Sequence, residues 1–458
     1  MTPVRLLCWL ALTPLLFLAG CTNEEEAPKT PGLYAFVGVN VIPMDENRVL
    51  EHQTVLVREG RIVSIDPASV VPPGGATVID GKGRYLMPGL AEMHGHVPGG
   101  DHPQYAQDVL FLYISNGVTL VRGMAGDEYH LTLRDKIASG EIDGPTLFAA
   151  SPWLGQNNAG SEAQTRDVVR QYAELGFDLL KVGSLSPINY GYMVDEANRQ
   201  DIPFAGHIPV GVTLERALEA GQASIDHFDR YTEFLVDEEA DLAGRSGGFF
   251  GSGVVDLVDL DRMDEAVQRT VEAGTWNVPT LSLVEHLASE EAPEAMIQWP
   301  EMRYMPQEVL DGWVQAKHDF QAREDFQPEA ARALVDLRHL LLRELHDGGA
   351  PIALGSDAPQ FFNVPGFSIH REMAMMVNAG LTPYEVLATG TRKPAEYFGT
   401  PDTFGQVAPG HRADLILLKE NPLEDISAVQ ERVGVMVRGE WFPESSIQKR
   451  LQAIADRR

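Results

Sequence analysis

Two patterns of apolar and polar positions divide the chain. Between residues 33 and 85 the apolar positions come in short runs rich in Val, Ile and aromatic residues: Tyr34–Val41, Thr54–Val57 and Ile62–Ile65 after the Gly60 turn. A Pro72-Pro73-Gly74-Gly75 loop and a last run, Thr77–Asp80, follow. Such runs, bounded by turn residues, predict strands, and no long helical period interrupts them. From about residue 105 the pattern changes. Helical stretches end in glycine, and a near-continuous apolar run follows at once. Gly117 precedes Val118–Val121, Gly176 precedes Phe177–Val182, and Gly221 precedes Ala223–His227. Gly274 precedes Trp276–Leu281, and Gly349 precedes Pro351–Gly355. Glycine after a helix accepts the left-handed conformation that ends it. Continuous apolar strands belong to parallel sheets covered on both faces.

With Leu86–Met93, Thr146–Ala150 and Ile202–Ala205, the strands number eight, alternating with helices. This predicts an α/β fold, a (β/α)8 TIM-type barrel over residues 86–399, with an open doubly wound sheet as the alternative. Beyond it, Ile369–Ala379 and Tyr384–Phe398 read as helices, and Phe404–Pro409, Asp414–Lys419 and Val433–Trp441 as strands. Residues 33–85 and 400–445 are each too small to stand alone, so they are expected to join in one small β-sandwich domain. Residues 446–458 read as a terminal helix. Two stretches, 228–260 and 284–328, exceed ordinary connections and are expected to cover the catalytic face.

The first residues follow a different logic. Arg5 precedes an apolar run from Leu6 to Phe17, which ends in Leu18-Ala19-Gly20-Cys21. This is a secretory signal, too short for a comfortable membrane span. Its end resembles a bacterial lipobox, so residues 1–20 are expected to be removed and Cys21 lipidated; a plain secretory signal is the alternative. Residues 21–32 then form a polar tether. Thr22 after the cysteine resembles the default for outer-membrane sorting, which places the protein on the periplasmic side. Membrane contact would run only through the lipid. Cys8 lies in the signal, so the mature chain holds no disulfide and relies on its core or on metal.

Composition adds two limits. The chain has 458 residues, 44% of them hydrophobic, which suffices for a large core. Its 66 acidic against 36 basic residues give a net charge of −30 and exclude nucleic acid as a partner. Homo-oligomerisation is left open.

The candidate chemistry lies at the strand ends. The first strand ends in His94 and His96, which share a face two residues apart. The fourth carries Lys181, the fifth ends at His207, the sixth at His227 and the eighth at Asp357. In a barrel all six meet at one rim. Neutral imidazoles suit zinc and similar divalent ions. A lysine is an odd neighbour for a metal unless its neutral amine adds carbon dioxide. The resulting carbamate on Lys181 is an anionic two-oxygen ligand. Asp357 can bind metal and accept the proton of an activated water. Plainer readings exist: Lys181 as a rim lysine beside a single metal held by His94, His96, His207 and Asp357, His227 as a strand cap or substrate contact, and Asp357 as a helix N-cap. Arg122, Tyr190 and Tyr192 follow strands two and four and are candidate substrate contacts.

The motifs PGLAEMHGH (88–96), GVTLVRGM (117–124), LLKV (179–182), GHIPVG (206–211), IDH (225–227), LGSDAP (354–359) and FGQVAPGHRADLILL (404–418) together resemble the amidohydrolase superfamily, in its imidazolonepropionase-like and prolidase-like branch. The resemblance implies a barrel with a β-sandwich and two divalent ions, zinc foremost. By it, His94, His96 and Asp357 hold one ion, His207 and His227 the other, and carboxylated Lys181 bridges them. Glu92 departs from the pattern, in which aspartate is usual two residues before the first histidine. The expected reaction on a small-molecule substrate is hydrolysis of an amide-type C–N bond, in a dipeptide or N-acyl amino acid, by a metal-bridged hydroxide. A cyclic-amide or lactone hydrolase and a non-catalytic metal-binding lipoprotein are the alternatives.

Overall fold

Five short strands fill the N-terminal region: β1 (Leu33–Val41), β2 (Leu50–Arg58), β3 (Arg61–Pro67), β4 (Thr77–Asp80) and β5 (Tyr85–Pro88). The computed structural model describes residues 32–458, within one unit, Pro31–Arg458; the predicted signal peptide and the tether up to residue 31 lie outside the described residues. The β2–β3 hairpin turns at Glu59 and Gly60, both left-handed (φ 50° and 75°), as a two-residue turn matched to strand twist requires.

The predicted first barrel strand, Leu86–Met93, divides at Gly89. Residues 85–88 join the N-terminal sheet, and β6 (Leu90–Gly95) starts a parallel set with β7 (Val118–Gly123) and β8 (Thr146–Ala149). The chain presses against a neighbour there: a Cβ on Gly89 would lie 2.3 Å from Thr119 Oγ1. A second parallel set contains β9 (Leu180–Val182), β10 (Phe204–Gly206), β11 (Ser224–Asp226) and β12 (Trp276–Val278). Bridges at Ala150–Leu179 and Leu154–Val182 link β8 to β9. The predicted eighth strand, Pro351–Gly355, is not a strand. Only Ile352 bridges, to Asn277, because the Leu354 N–H donates to Thr389 instead of to a neighbouring strand. The same segment nevertheless reaches β6, through Met93 N–H to Leu354 O (2.8 Å) and Asp357 N–H to His94 O (2.9 Å).

Glycine ends the helices as expected. Gly176 (φ 83°) closes Glu162–Leu175, and Gly274 (φ 64°) closes Met263–Ala273. Of the C-terminal strands, Phe404–Pro409 is irregular, since Gly405 turns left-handed and Val407 makes its bond to Pro43 O. The strands present are β13 (Leu415–Leu418), β14 (Arg432–Val437) and β15 (Glu440–Pro443), before a helix over Glu444–Ala455. They extend the N-terminal sheet in the order β15-β14-β13-β5-β1-β2-β3, with β4 on β1. Both chain ends thus build one sheet. Val57 and Ile62 from one end share a buried core with Met436 from the other, so the sheet curls round. Among the described residues no helix is long and apolar enough to cross a membrane.

Two buried histidines make the fold acid-sensitive. His286 lies against Phe361 O (3.2 Å) and His370 against Asn116 Oδ1 (3.3 Å). Burial pushes both down to about 3. They stay neutral when folded, whereas the unfolded chain protonates them near 6.5. Their contribution is therefore complete above about 6.5 and is lost as pH falls toward 3, by up to about 1.4 kcal/mol per unit and per group. Urea midpoints are expected to fall from about pH 7 to about pH 5, and less steeply in His370→Gln. An identical slope in that variant would remove His370 from the account.

Candidate metal centre

His94 lies on β6 and His96 one residue beyond it. Lys181 projects from β9, His207 follows β10, His227 follows β11, and Asp357 lies on the segment that donates to His94 O. The structure brings all six to one cavity of 190 Å³. His96 Nε2 is 2.7 Å from Asp357 Oδ1, His94 Nε2 is 3.6 Å from the same oxygen, and His227 Nδ1 is 3.7 Å from Asp357 Oδ2. Lys181 Nζ is 3.3 Å from His94 Nε2. The His207 and His227 rings stack with centroids 4.7 Å apart. Potential ligand atoms of His94, His227 and Asp357 all lie within 4.8 Å of one another. His227 and Asp357 are left-handed (φ 61° and 62°), a conformation that costs about 1–3 kcal/mol away from glycine and turns each side chain off its strand direction.

A second layer fixes the imidazoles. Asp229 Oδ2 holds His207 Nδ1 at 2.8 Å and also accepts Ile208 N–H. Thr280 Oγ1 meets His227 Nδ1 at 2.8 Å. Asp226 Oδ2 approaches His94 Nδ1 at 2.7 Å, off the hydrogen-bond direction. Asp226 in turn accepts from Ser224 Oγ and from the Arg122 guanidinium. Glu92 joins β6 to the Asp357 segment, accepting from Ser356 N–H (2.8 Å) and Ser356 Oγ (2.6 Å). Burial pushes its carboxyl up to about 8, so it also resists ionisation near neutral pH. Gly355 keeps this junction tight: a Cβ there would lie 2.8 Å from the His94 nitrogen.

The donor atoms fit a divalent cation. Burial, then the charge on Lys181, holds His94 well below the usual histidine range. Burial, then His94, does the same to His227. Burial lowers Lys181 as well, against the pull of Asp226 and Asp357. These are two neutral imidazoles and an amine that gives up its proton more readily than a lysine in water. Two further buried atoms, His96 Nε2 and Asp357 Oδ1, face one another at 2.7 Å without hydrogen-bond alignment. Such lone pairs converging on a common point suit a metal ion, and the nitrogen-rich set suits zinc.

Three predicted substrate contacts lie elsewhere. Arg122 is fully buried, with its guanidinium committed to Met93 O, Ser224 Oγ, Tyr397 OH and Asp226. A buried arginine at strand level finds its counter-charge within the fold. Tyr190 is buried and donates to Gln222 Oε1 (3.0 Å), and the Tyr192 ring packs under Arg166. Both are on the helix Pro187–Gln200, which turns them from the cavity. The residues that do line it beside the six are Trp153, Phe249, Phe250, Leu283, Leu287, Gln360 and Phe361. Phe249 and Phe250 come from the first long stretch and Leu287 from the second. Sequence reasoning also passed over Asp226, Asp229 and Thr280. Asp226 and Asp229 flank His227 in IDHFD, and that acid-rich setting was the available signal.

Asp226→Asn is expected to weaken metal binding about 10–100-fold, because the negative charge 2.7 Å from His94 Nδ1 is lost. Competition with a chromogenic chelator reads this directly. Unchanged affinity would show that Asp226 serves only the Arg122 ion pair.

Residues 85–442 match the amidohydrolase family. The chain is 26% identical over 417 residues to an imidazolonepropionase of Salmonella agona (strain SL483), covering 86% of this chain and 94% of that one. Among solved structures, the bottromycin amidohydrolase superposes with a TM-score of 0.68 at 22% identity, over 92% of this chain and 90% of that one. A Xaa-Pro dipeptidase with methionine bound in its active site superposes with a TM-score of 0.66 at 20% identity, over 90% of this chain and 100% of that one. The chain belongs to the amidohydrolase family and is a hydrolase of carbon–nitrogen bonds.

Proposed function

We propose that this hydrolase cleaves the amide bond of a dipeptide or N-acyl amino acid with two divalent ions, zinc foremost. The reading rests on the convergence of six ligand-type side chains on one cavity, with a buried lysine in their midst. His94, His96 and Asp357 would hold one ion, His207 and His227 the other. Lys181, 3.3 Å from His94 Nε2, stands where a carbamate on its Nζ could serve both. When bound, such ions supply Lewis acidity to the scissile carbonyl and acidify water. Asp357 accepts a proton from the attacking water and delivers it to the leaving nitrogen. Asp229 and Thr280 hold the His207 and His227 orientations, Asp226 sets a negative charge beside His94, and the apolar residues above exclude bulk water.

An amino-acid substrate is supported by the dipeptidase relative and its bound methionine. The imidazolonepropionase relative supports a cyclic amide as the second reading. Metal analysis after reconstitution with zinc and bicarbonate, followed by a screen of dipeptides, N-acyl amino acids and cyclic amides, tests both. Activity that survives complete chelation would defeat the metal-dependent reading.

The same proposal covers the architecture. The two parallel sets and the 351–357 segment would close as a (β/α)8 barrel over residues 86–399. The curled sheet would be the small sandwich domain, residues 33–85 and 400–445. It also covers location, for which the sequence pattern at residues 1–31 is the support: a chain anchored through lipid on Cys21 and facing the periplasm. Cys21→Ser would then shift the protein from the membrane to the soluble fraction.

A further inference from the structure

Part of the cavity lining is apolar. Phe249, Phe250, Leu283, Leu287 and Phe361 line it together with the ligand cluster. The only charged side chains on the whole lining, apart from the histidines, are Lys181 and Asp357 of the cluster itself. A second pocket of 370 Å³ adjoins it and shares Trp153, His207 and Phe250 with it. This outer pocket holds the charges the inner one lacks, Asp229, Arg230 and Glu233.

The shared aromatic residues pack against their neighbours. Trp153 lies flat on Gly183, where a Cβ would stand 2.1 Å from the indole ring. Phe250 lies 5.7 Å from the His227 ring and 5.6 Å from the Arg338 guanidinium. Phe249 packs on Phe250 and on Phe320, both at 4.6 Å. Phe250 and Phe361 are both left-handed, with φ 48° and 43°. A bulky side chain rarely adopts that conformation, and where it does, the surroundings impose it. Here it belongs to two rings that face the ligand cluster from separate segments.

We propose that this wall is a specificity subsite for a bulky, uncharged apolar substituent on one side of the scissile amide, while the other end of the substrate passes between Trp153 and Phe250 into the charged outer pocket. The proposal rests on the amide-hydrolase reading above and adds the class of side chain. An acidic or basic group in the inner cavity would lose its hydration without a counter-charge beyond the cluster. An apolar group would bury surface against Phe250, Leu283, Leu287 and Phe361.

The test uses the zinc-reconstituted protein and two dipeptide series, X-Ala and Ala-X, with X as Gly, Leu, Phe, Asp or Lys. At one of the two positions Leu and Phe are expected to exceed Gly, Asp and Lys by about 100-fold in kcat/KM. Phe250→Ala and Leu287→Ala should each narrow the Leu-to-Gly ratio by about tenfold, with zinc content as the check on folding. A flat ranking at both positions, or ratios untouched in both variants, would overturn the subsite. If no dipeptide is cleaved, the dipeptide reading fails on its own, and calorimetry of phenylalanine hydroxamate against glycine hydroxamate still decides the subsite. At least about tenfold tighter binding of the former, lost in Phe250→Ala, upholds it. Equal binding refutes it.

Discussion

Asp357→Asn is expected to lower kcat by about 10²–10⁴-fold while KM changes far less. On the proposed mechanism the carboxylate takes a proton from water and returns it to nitrogen, so its loss acts on the transition state more than on binding. The substitution is clean in other respects. Position 357 is left-handed, and asparagine tolerates that conformation as well as aspartate does. The backbone bond from Asp357 N–H to His94 O does not depend on the side chain. The amide oxygen can still face His96. Steady-state kinetics together with zinc content separate lost chemistry from lost metal. A variant with near wild-type kcat would remove Asp357 from the proton path.

Lys181→Ala should remove the second equivalent of zinc and at least about 100-fold of kcat/KM, the order of loss expected when an activating metal site is broken. Lys181 is 1% exposed, and burial lowers its pKa, which eases the deprotonation that adding carbon dioxide requires. Gly206 preserves the side chain's path: a Cβ there would lie 3.0 Å from Lys181 Cδ. Lys181→Arg should be equally damaging, because a guanidinium stays protonated and cannot form a carbamate. Labelled bicarbonate should give a carbamate carbon signal in the zinc-loaded protein and none in either variant. Two equivalents of zinc and full activity in Lys181→Ala would show that the lysine is an ordinary wall residue.

Much of the candidate cluster is legible in the sequence. Short apolar runs after glycine-ended helices located most strand ends, and the residues there were histidine, lysine and aspartate. Regular local structure reports such positions because the Gly signal and the continuous apolar strand both act over a few residues. Where local rules gave way, the sequence misled. Leu86–Met93 looked continuous, but the close approach of Gly89 to Thr119 passes the chain from one sheet to another. Pro351–Gly355 looked like a strand, yet its bonds to Asn277 of β12 and to Met93 of β6 are interrupted by the one from Leu354 N–H to Thr389 O.

Arg122, Tyr190 and Tyr192 show the same limit at the level of side chains. Each follows a predicted strand, and nothing local says whether it faces a cavity or a partner. Arg122 finds Asp226, a residue 104 positions away, and Tyr190 finds Gln222. The sequence by itself determined the residue types of the candidate cluster, their order along the chain and the membership of the amidohydrolase family, because these follow from residue identity and short-range pattern. Only the tertiary structure decided which carboxylates lie against which imidazoles, which residues wall the cavity, and that part of the wall is apolar. Those facts depend on contacts between residues far apart in the chain, and burial sets their energies.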